Sequence, residues 1–514
     1  MRLRPFVIGG RAARGAGRAL LLAVATSVAL GPAPAAAAPH AARARPIATA
    51  TPASTTSEAQ ALPRAVEASL ARGGVPKEAL VAWVQDVDAV RPRLAWQPDK
   101  AVNPASLMKL VTTFAALELL GPAYTWPTPV WLHGTVADGV LTGNLVIRGS
   151  GDPKLVLERM WLLLRRVQPA GVHEIRGDIV LDRSAFALDE RNPADFDGEP
   201  LRPYNVAADA LLVNYRALLL TFTPDPGHGV ATIAVEPPLA GVRVDRTVPL
   251  ASGPCEDWRA SLQAELEDPA QLRFAGSFPV ACGEKVWPLA YADPKSYNAR
   301  VIAGLWSEMG GTLTGVVRDG SAPALTPSFE LRSPTLTELI RDINKLSNNV
   351  MAQQVFLTLG ATQRGVGTPE TARDVVRQWL RGKVGGAASV AVISNGSGLS
   401  RDSRVSAALL GRLLQAAWAS PLMPELVSSL PVAGIDGTLR KAKGVPGRAH
   451  LKTGSLRDVV GIAGYVLGDS GRRYVVVAIV NHANANGARP ALEALAEWAA
   501  SDAPALAPTA PQPN

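Results

Sequence analysis

Asn103-Pro104-Ala105-Ser106-Leu107-Met108-Lys109-Leu110-Val111-Thr112-Thr113 is the stretch on which the fold turns. Asparagine at a cap, proline at the first helical position and Gly121 beyond the last apolar residue are helix start and stop signals. Leu107, Leu110, Val111, Phe114, Ala115 and Leu117 leave this helix little polar surface, so it is expected to be largely buried. A lysine is carried into that burial.

Lysine is scarce here, 11 against 41 arginines, and a serine stands three residues before a lysine only at Ser106 and Lys109. Residues three apart share a helix face, so Ser106 Oγ and Lys109 Nζ can approach hydrogen-bonding distance. Ser106 falls in the first turn, where unpaired N–H groups and the dipole favour developing negative charge. Burial would depress the lysine pKa and let it act as a neutral base, which a serine nucleophile requires.

Two further pieces carry chemistry. Lys452-Thr453-Gly454-Ser455 holds the chain's single Lys-Thr-Gly, on a predicted strand before a hairpin. A lysine with a hydroxyl neighbour on an edge strand can hold a carboxylate, and the glycine lets a substrate backbone approach. Ser347-Asn348-Asn349 lies where two helical stretches meet, and a Ser/Asn pair so spaced can pass a proton and bind an amide. Ser296-Tyr297-Asn298 fits the same pattern, but it opens a helix with Val301, Ile302, Leu305 and Trp306 on one face. Ser296 is therefore expected to be its N-cap.

Outward from these motifs, residues 62–72 read as a helix and 79–89 as a strand. From 134 to 291 the texture becomes short strands broken by Gly, Asp and Pro, exemplified by 143–148, 177–182 and 218–223. Helical texture returns at 296–309, 336–359 and 370–380. The chain then reads as strands at 449–454, 462–467 and 473–480 and a helix at 489–500. The expected class is α+β: an antiparallel sheet flanked by helices, with a helical subdomain, formed by 61–133 and 292–503 and interrupted by a β-rich insertion over 134–291. Residues 38–60 read as a flexible leader and 504–514 as a disordered tail.

The chain has 514 residues, 47% of them hydrophobic and 19% charged, which excludes a disordered protein. Its net charge of +8 is misleading, because five arginines precede residue 19 and without them +3 remains. Nucleic-acid binding thus has no charge basis. Those arginines, the apolar run 19–30 and the small residues ending at Ala38 form a secretory signal over 1–37, with a membrane anchor as the alternative. An exported protein of the periplasm follows, with at most weak membrane association.

Cys255 and Cys282 can pair in an oxidising compartment, closing a loop worth about 3.5 kcal/mol, or remain two buried thiols. Six scattered histidines and no HExxH give a metal no support. Neither G-x-S-x-G nor a Gly-rich phosphate loop occurs, so a Ser-His-Asp hydrolase and nucleotide cofactors are disfavoured; no cofactor is expected.

Ser-x-x-Lys, Ser-x-Asn and Lys-Thr-Gly in this order are the signature of active-site serine penicillin-recognising enzymes. The runs NPASLMKLVTT, SNNVMAQQVF, GSGLSR and AHLKTGSL resemble the D-alanyl-D-alanine carboxypeptidase/endopeptidase family, the class C low-molecular-mass penicillin-binding proteins, over most of 62–500. The 240 positions between Lys109 and Asn349 hold a large insertion that a compact β-lactamase lacks.

The resemblance implies a serine peptidase acting on peptidoglycan stem peptides and acylated by β-lactams. Ser106 would attack, Lys109 take its proton and Ser347 relay one to the leaving amine. Asn349 would hold the substrate amide, and Lys452 with Thr453 the terminal carboxylate. The N–H groups of Ser106 and Ser455 would form the oxyanion hole, worth about 3–4 kcal/mol per donor.

The resemblance also points to Asp182 for the amino end of the stem's diamino acid, to Arg401 as a cleft-lining residue and to Thr438 as a substrate hydroxyl. Asn395 and Gln354 replace the usual Asp and Glu, which bears on substrate preference. A β-lactamase of the same superfamily is the alternative, although no E-x-x-L-N follows Ser347. A non-catalytic peptidoglycan-binding envelope protein is the other. Oligomeric state is left open.

Overall fold

The computed structural model describes residues 61–502. The signal at 1–37, the leader at 38–60 and the tail at 504–514 lie outside them. Among the described residues, no helix is long and apolar enough to cross a membrane.

A five-stranded antiparallel sheet organises the first body. Its strands are β1 (Leu80–Asp86), β2 (Leu94–Trp96), β3 (Ala449–Leu456), β4 (Val459–Leu467) and β5 (Arg473–Asn481), in the order β3-β4-β5-β1-β2. Period-two alternation divides its residues between two cores. Val81, Trp83, Val475, Val477 and Ile479 face a helical layer, whereas Leu80, Ala82, Val84, Val476, Ala478 and Val480 face α1 (Arg64–Arg72) and α7 (Arg489–Ala500). β1 and β5, covered on both faces, read as near-continuous apolar runs.

The helical layer comprises α2 (Met108–Leu120), α3 (Leu336–Lys345), α4 (Asn349–Arg364), α5 (Pro369–Val384) and α6 (Ala407–Trp418). α2 runs through its centre, buried at every position from Met108 to Leu117. The long helical stretch at 336–359 divides. A Thr335/Glu338 capping box starts α3, and Asn348 caps α4 by accepting from Met351 N. Ser347 turns between them at φ +58°, a left-handed conformation that costs a non-glycine residue free energy.

The insertion is longer than its sequence texture. Its seven-stranded sheet opens with strand Pro127–Ala137, pairs it to Val140–Arg148 and closes with Phe329–Arg332, whose Leu331 stands opposite Thr128. Helix Pro294–Glu308 buries Val301, Ile302 and Leu305 in the insertion's own core, not in the helical layer. The bounds 134 and 291 therefore give way to about 127 and 332. Polar residues at 133–138 mark a solvent-facing hairpin end and hide the buried start of that strand. A second sheet, Phe278–Pro279, Thr247–Ala251, Val230–Glu236, Ala217–Asp225 and Lys285–Ala290, and a small third one, Ala264–Glu265, Gln271–Phe274 and Arg243–Val244, also belong to the insertion. Cys255 and Cys282 are bonded beside the second sheet. The N-cap of helix Pro294–Glu308 is Asp293, accepting from Lys295 N, with Pro294 at the first position. Ser296 lies inside the helix and accepts from Arg300.

Candidate active site

Three distant stretches meet at the N-terminal end of α2. Asn103 Oδ1 accepts from Ala105 N at 2.8 Å and its Nδ2 donates to Ser400 O, fixing a short 3-10 turn, Ala105–Leu107, ahead of α2. Ser106 rides on this turn. The turn is pressed between glycines: a Cβ on Gly454 would lie 2.7 Å from Pro104 O, and one on Gly398 only 1.8 Å from Ala105 O. The glycine of Lys-Thr-Gly thus admits the serine-bearing turn, rather than the substrate backbone that spacing alone suggests.

Lys109 is fully buried, and its Nζ donates to Ser106 Oγ (2.9 Å), Asn349 Oδ1 (2.7 Å) and the carbonyl of Ser397 (2.7 Å). Burial first, and the nearby Lys452 charge second, hold its pKa well below the ordinary lysine range. The Ser397 carbonyl is supplied by a loop that Asn395 builds, its Oδ1 accepting from the N–H groups of Ser397 and Gly398. Thr112 donates to Gly396 O and ties the same loop to α2.

Lys452 is equally buried; it donates to Ser347 Oγ (2.9 Å) and to the carbonyl of Thr453 (2.7 Å). Burial lowers its pKa to about 7. The two buried lysines are close enough for the charge of Lys452 to act on Lys109, and each is bonded to a different serine.

β3 is an edge strand whose first half is covered. Leu451 N donates to Pro431 O, and Ala433 N to Ala449 O. Backbone groups of alternate residues point to the same side of a strand, so the N–H groups of Thr453 and Ser455 face outward where this cover ends. Thr453 Oγ1 donates to Thr438 Oγ1 at 2.8 Å on the exposed rim. Arg401 pairs with Asp458 at 3.0 Å and lies over the Phe196 ring, joining the β3–β4 hairpin to an insertion segment.

Asp182 is placed differently from expectation. It is 4% exposed, and its two oxygens accept from Ser184 N and Ala322 N, which hold its pKa low. It ties a strand end to a neighbouring loop and, unlike the exposed Asp197, is buried away from solvent. The insertion reaches the site through another segment: Asn349 Nδ2 lies 3.5 Å from Tyr204 O, and Tyr204 Oη donates to the exposed Asp197. Gln354 is buried, bonding the N–H and carbonyl of Asp209, and so joins α4 to the insertion. Asp197, Tyr204 and Arg489, which donates to Ser455 Oγ at 3.1 Å, carry no local sequence signal, whereas Ser397 lies within the GSGLSR run.

The model of the D-Ala-D-Ala carboxypeptidase 3 (S13) family matches residues 62–502. A D-alanyl-D-alanine carboxypeptidase of Actinomadura sp. (strain R39) is 29% identical over 433 residues, 78% of this chain and 78% of that protein. The crystal structure of penicillin binding protein 4 from Haemophilus influenzae is 22% identical. It covers 81% of this chain and 93% of its own, with a TM-score of 0.67. The same protein complexed with a β-lactam aligns over 84% and 97%, at 20% identity and a TM-score of 0.65. Both share the fold.

Proposed function

The chain belongs to the D-Ala-D-Ala carboxypeptidase 3 (S13) family, and we propose that it hydrolyses D-Ala-D-Ala termini, and D-alanyl cross-links, of peptidoglycan stems through an acyl-enzyme on Ser106. The observation that carries this reading is the 2.9 Å contact between Ser106 Oγ and a lysine whose pKa burial lowers well below the ordinary range; once that lysine is neutral, its Nζ accepts from the Ser106 hydroxyl.

In this reading Lys109 takes the Ser106 proton as Oγ attacks the carbonyl, and the oxyanion forms against the N–H groups of Ser106 and Ser455. Charged Lys452 passes a proton through Ser347 to the leaving amine, and the C–N bond breaks. Water then attacks the ester, losing its proton through Ser347 to the now neutral Lys452. Lys109 returns its proton to Ser106 Oγ, and both lysines regain their starting states. This use of Lys452 fits its hydrogen bond to Ser347, and it leaves the Thr438 and Thr453 hydroxyls to meet the terminal carboxylate. Asn349 Nδ2 serves the acyl-side amide. Export to the periplasm, where the stems lie, accords with the N-terminal pattern.

Purified protein given a stem pentapeptide should release free D-alanine and tetrapeptide in equal amounts, and penicillin should stop the release. Sustained penicillin turnover would instead indicate a β-lactamase, and neither cleavage nor labelling a non-catalytic binder.

We assign contact with a free amino group on the stem to Asp197 in place of Asp182. Asp197→Asn should lower kcat/KM about five-fold on a stem with a free side-chain amine, the value of an exposed ion pair of ~1 kcal/mol, and leave the acetylated stem unchanged. Asp182→Ala should lower Tm while preserving the ratio between the two stems. The reverse pattern in the paired assays would restore Asp182.

A further inference from the structure

The carboxylate of the leaving residue needs a positive partner, and the buried Lys452 is engaged elsewhere. On the opposite face of β3 from Lys452 lies a cavity of about 380 Å³ between β3, the 438–445 loop and α7. Thr438, Lys441, Thr453, Ser455, Arg489 and Glu493 give it its polar lining, and aliphatic side chains of β4 and α7 close its floor. It begins at the Thr438/Thr453 hydroxyl pair. Asn349, Tyr204 and Asp197, which the proposed reading gives to the acyl side, do not line it.

Arg489 is the cation of this lining that bonds a side chain of the Lys-Thr-Gly-Ser stretch. It is exposed, its Nη2 donates to Ser455 Oγ (3.1 Å), and Asn486 Oδ1 accepts from its Nε and Nη2 (each 3.2 Å). Among the described residues, no carboxylate forms an ion pair with it. Ser455 supplies an outward N–H in the proposed oxyanion hole, so the guanidinium stands one side chain from the reacting carbonyl. A planar guanidinium suits a carboxylate better than an ammonium does.

We propose that this cavity is the subsite for the leaving side of the scissile bond, and that Arg489 recognises the carboxylate on the leaving D-residue. The inference rests on the proposed peptidase reading and deepens it. The cavity extends well past what the methyl group of D-alanine fills, so it also admits a D-residue with an extended side chain, as found where a second stem is joined.

Arg489→Gln and Arg489→Lys would be compared with the wild type on two stem peptides differing only at the C-terminus, carboxylate or carboxamide. The glutamine variant should lose 10- to 100-fold in kcat/KM on the carboxylate and stay within two-fold on the carboxamide, and the lysine variant should recover most of the loss. Equal losses on both peptides, or no loss, would overturn the role of Arg489. In the wild type, replacing the leaving D-alanine by D-lysine should keep kcat/KM within three-fold, whereas a fall beyond thirty-fold would contradict the subsite. Failure of the wild type to cleave any of these peptides or to react with penicillin would remove the underlying peptidase reading, a result distinct from lost discrimination.

Discussion

Lys109→Met is expected to slow acylation by penicillin about 10³–10⁴-fold while leaving the protein folded. Methionine fills much of the volume of the buried aliphatic stem, so packing survives, and what disappears is the group that takes the Ser106 proton. Stopped-flow acylation rates measure this loss, and a fall of less than ten-fold would remove Lys109 as the base.

The same buried lysines set a pH dependence. Activity needs Lys109 neutral and Lys452 charged, so kcat/KM should rise with pH through the lowered Lys109 pKa and fall as Lys452 deprotonates, near its value of about 7. Stability runs the other way on the alkaline side. The unfolded chain keeps lysine protonated to about 10.4, so it binds more protons than the native state above about pH 7, and unfolding free energy should rise with pH across that window. In Lys109→Met the share of that rise due to Lys109 should be lost and the share due to Lys452 should remain, which Tm measured from pH 7 to 10 would show.

Gly398→Ala is expected to cost activity on the order of 10²-fold for a purely steric reason. Gly398 has φ +81°, and its new Cβ would sit 1.8 Å from the carbonyl oxygen of Ala105, the residue before the nucleophile. Either the 396–400 loop or the serine turn must shift. Displacing a nucleophile by about 1 Å costs on the order of 10²-fold, and the left-handed conformation adds roughly 1–2 kcal/mol of destabilisation. Gly382→Ala is the control: it lies within helix α5 with nothing within 4 Å of its new Cβ, and should leave acylation unchanged and stability slightly higher. Comparable acylation rates for the two variants would show that the pinched turn does not govern Ser106.

The three motifs were legible in the sequence because each couples chemistry to a periodic element. Lys109 is carried into the core by the apolar residues around it, and Lys452 sits on a strand whose hairpin partner follows at once. What escaped was whatever depends on contacts between distant segments. Asn395 and Gln354 look like substituted site residues in a linear reading, yet one builds the loop that feeds Ser397 O to Lys109 and the other bridges to Asp209. Asp182 follows a strand pattern that resembles a ligand position, but only the fold shows its oxygens engaged by Ser184 and Ala322. The start of the insertion is hard to see in the sequence because an 11-residue strand is buried at its beginning and exposed at its end.

The most direct measurement is peptide mapping by mass spectrometry after brief reaction with penicillin. One penicilloyl group per chain is expected, on the peptide containing Ser106, and none in Ser106→Ala. An adduct carried by another residue, or retained in Ser106→Ala, would contradict an acyl-enzyme on Ser106.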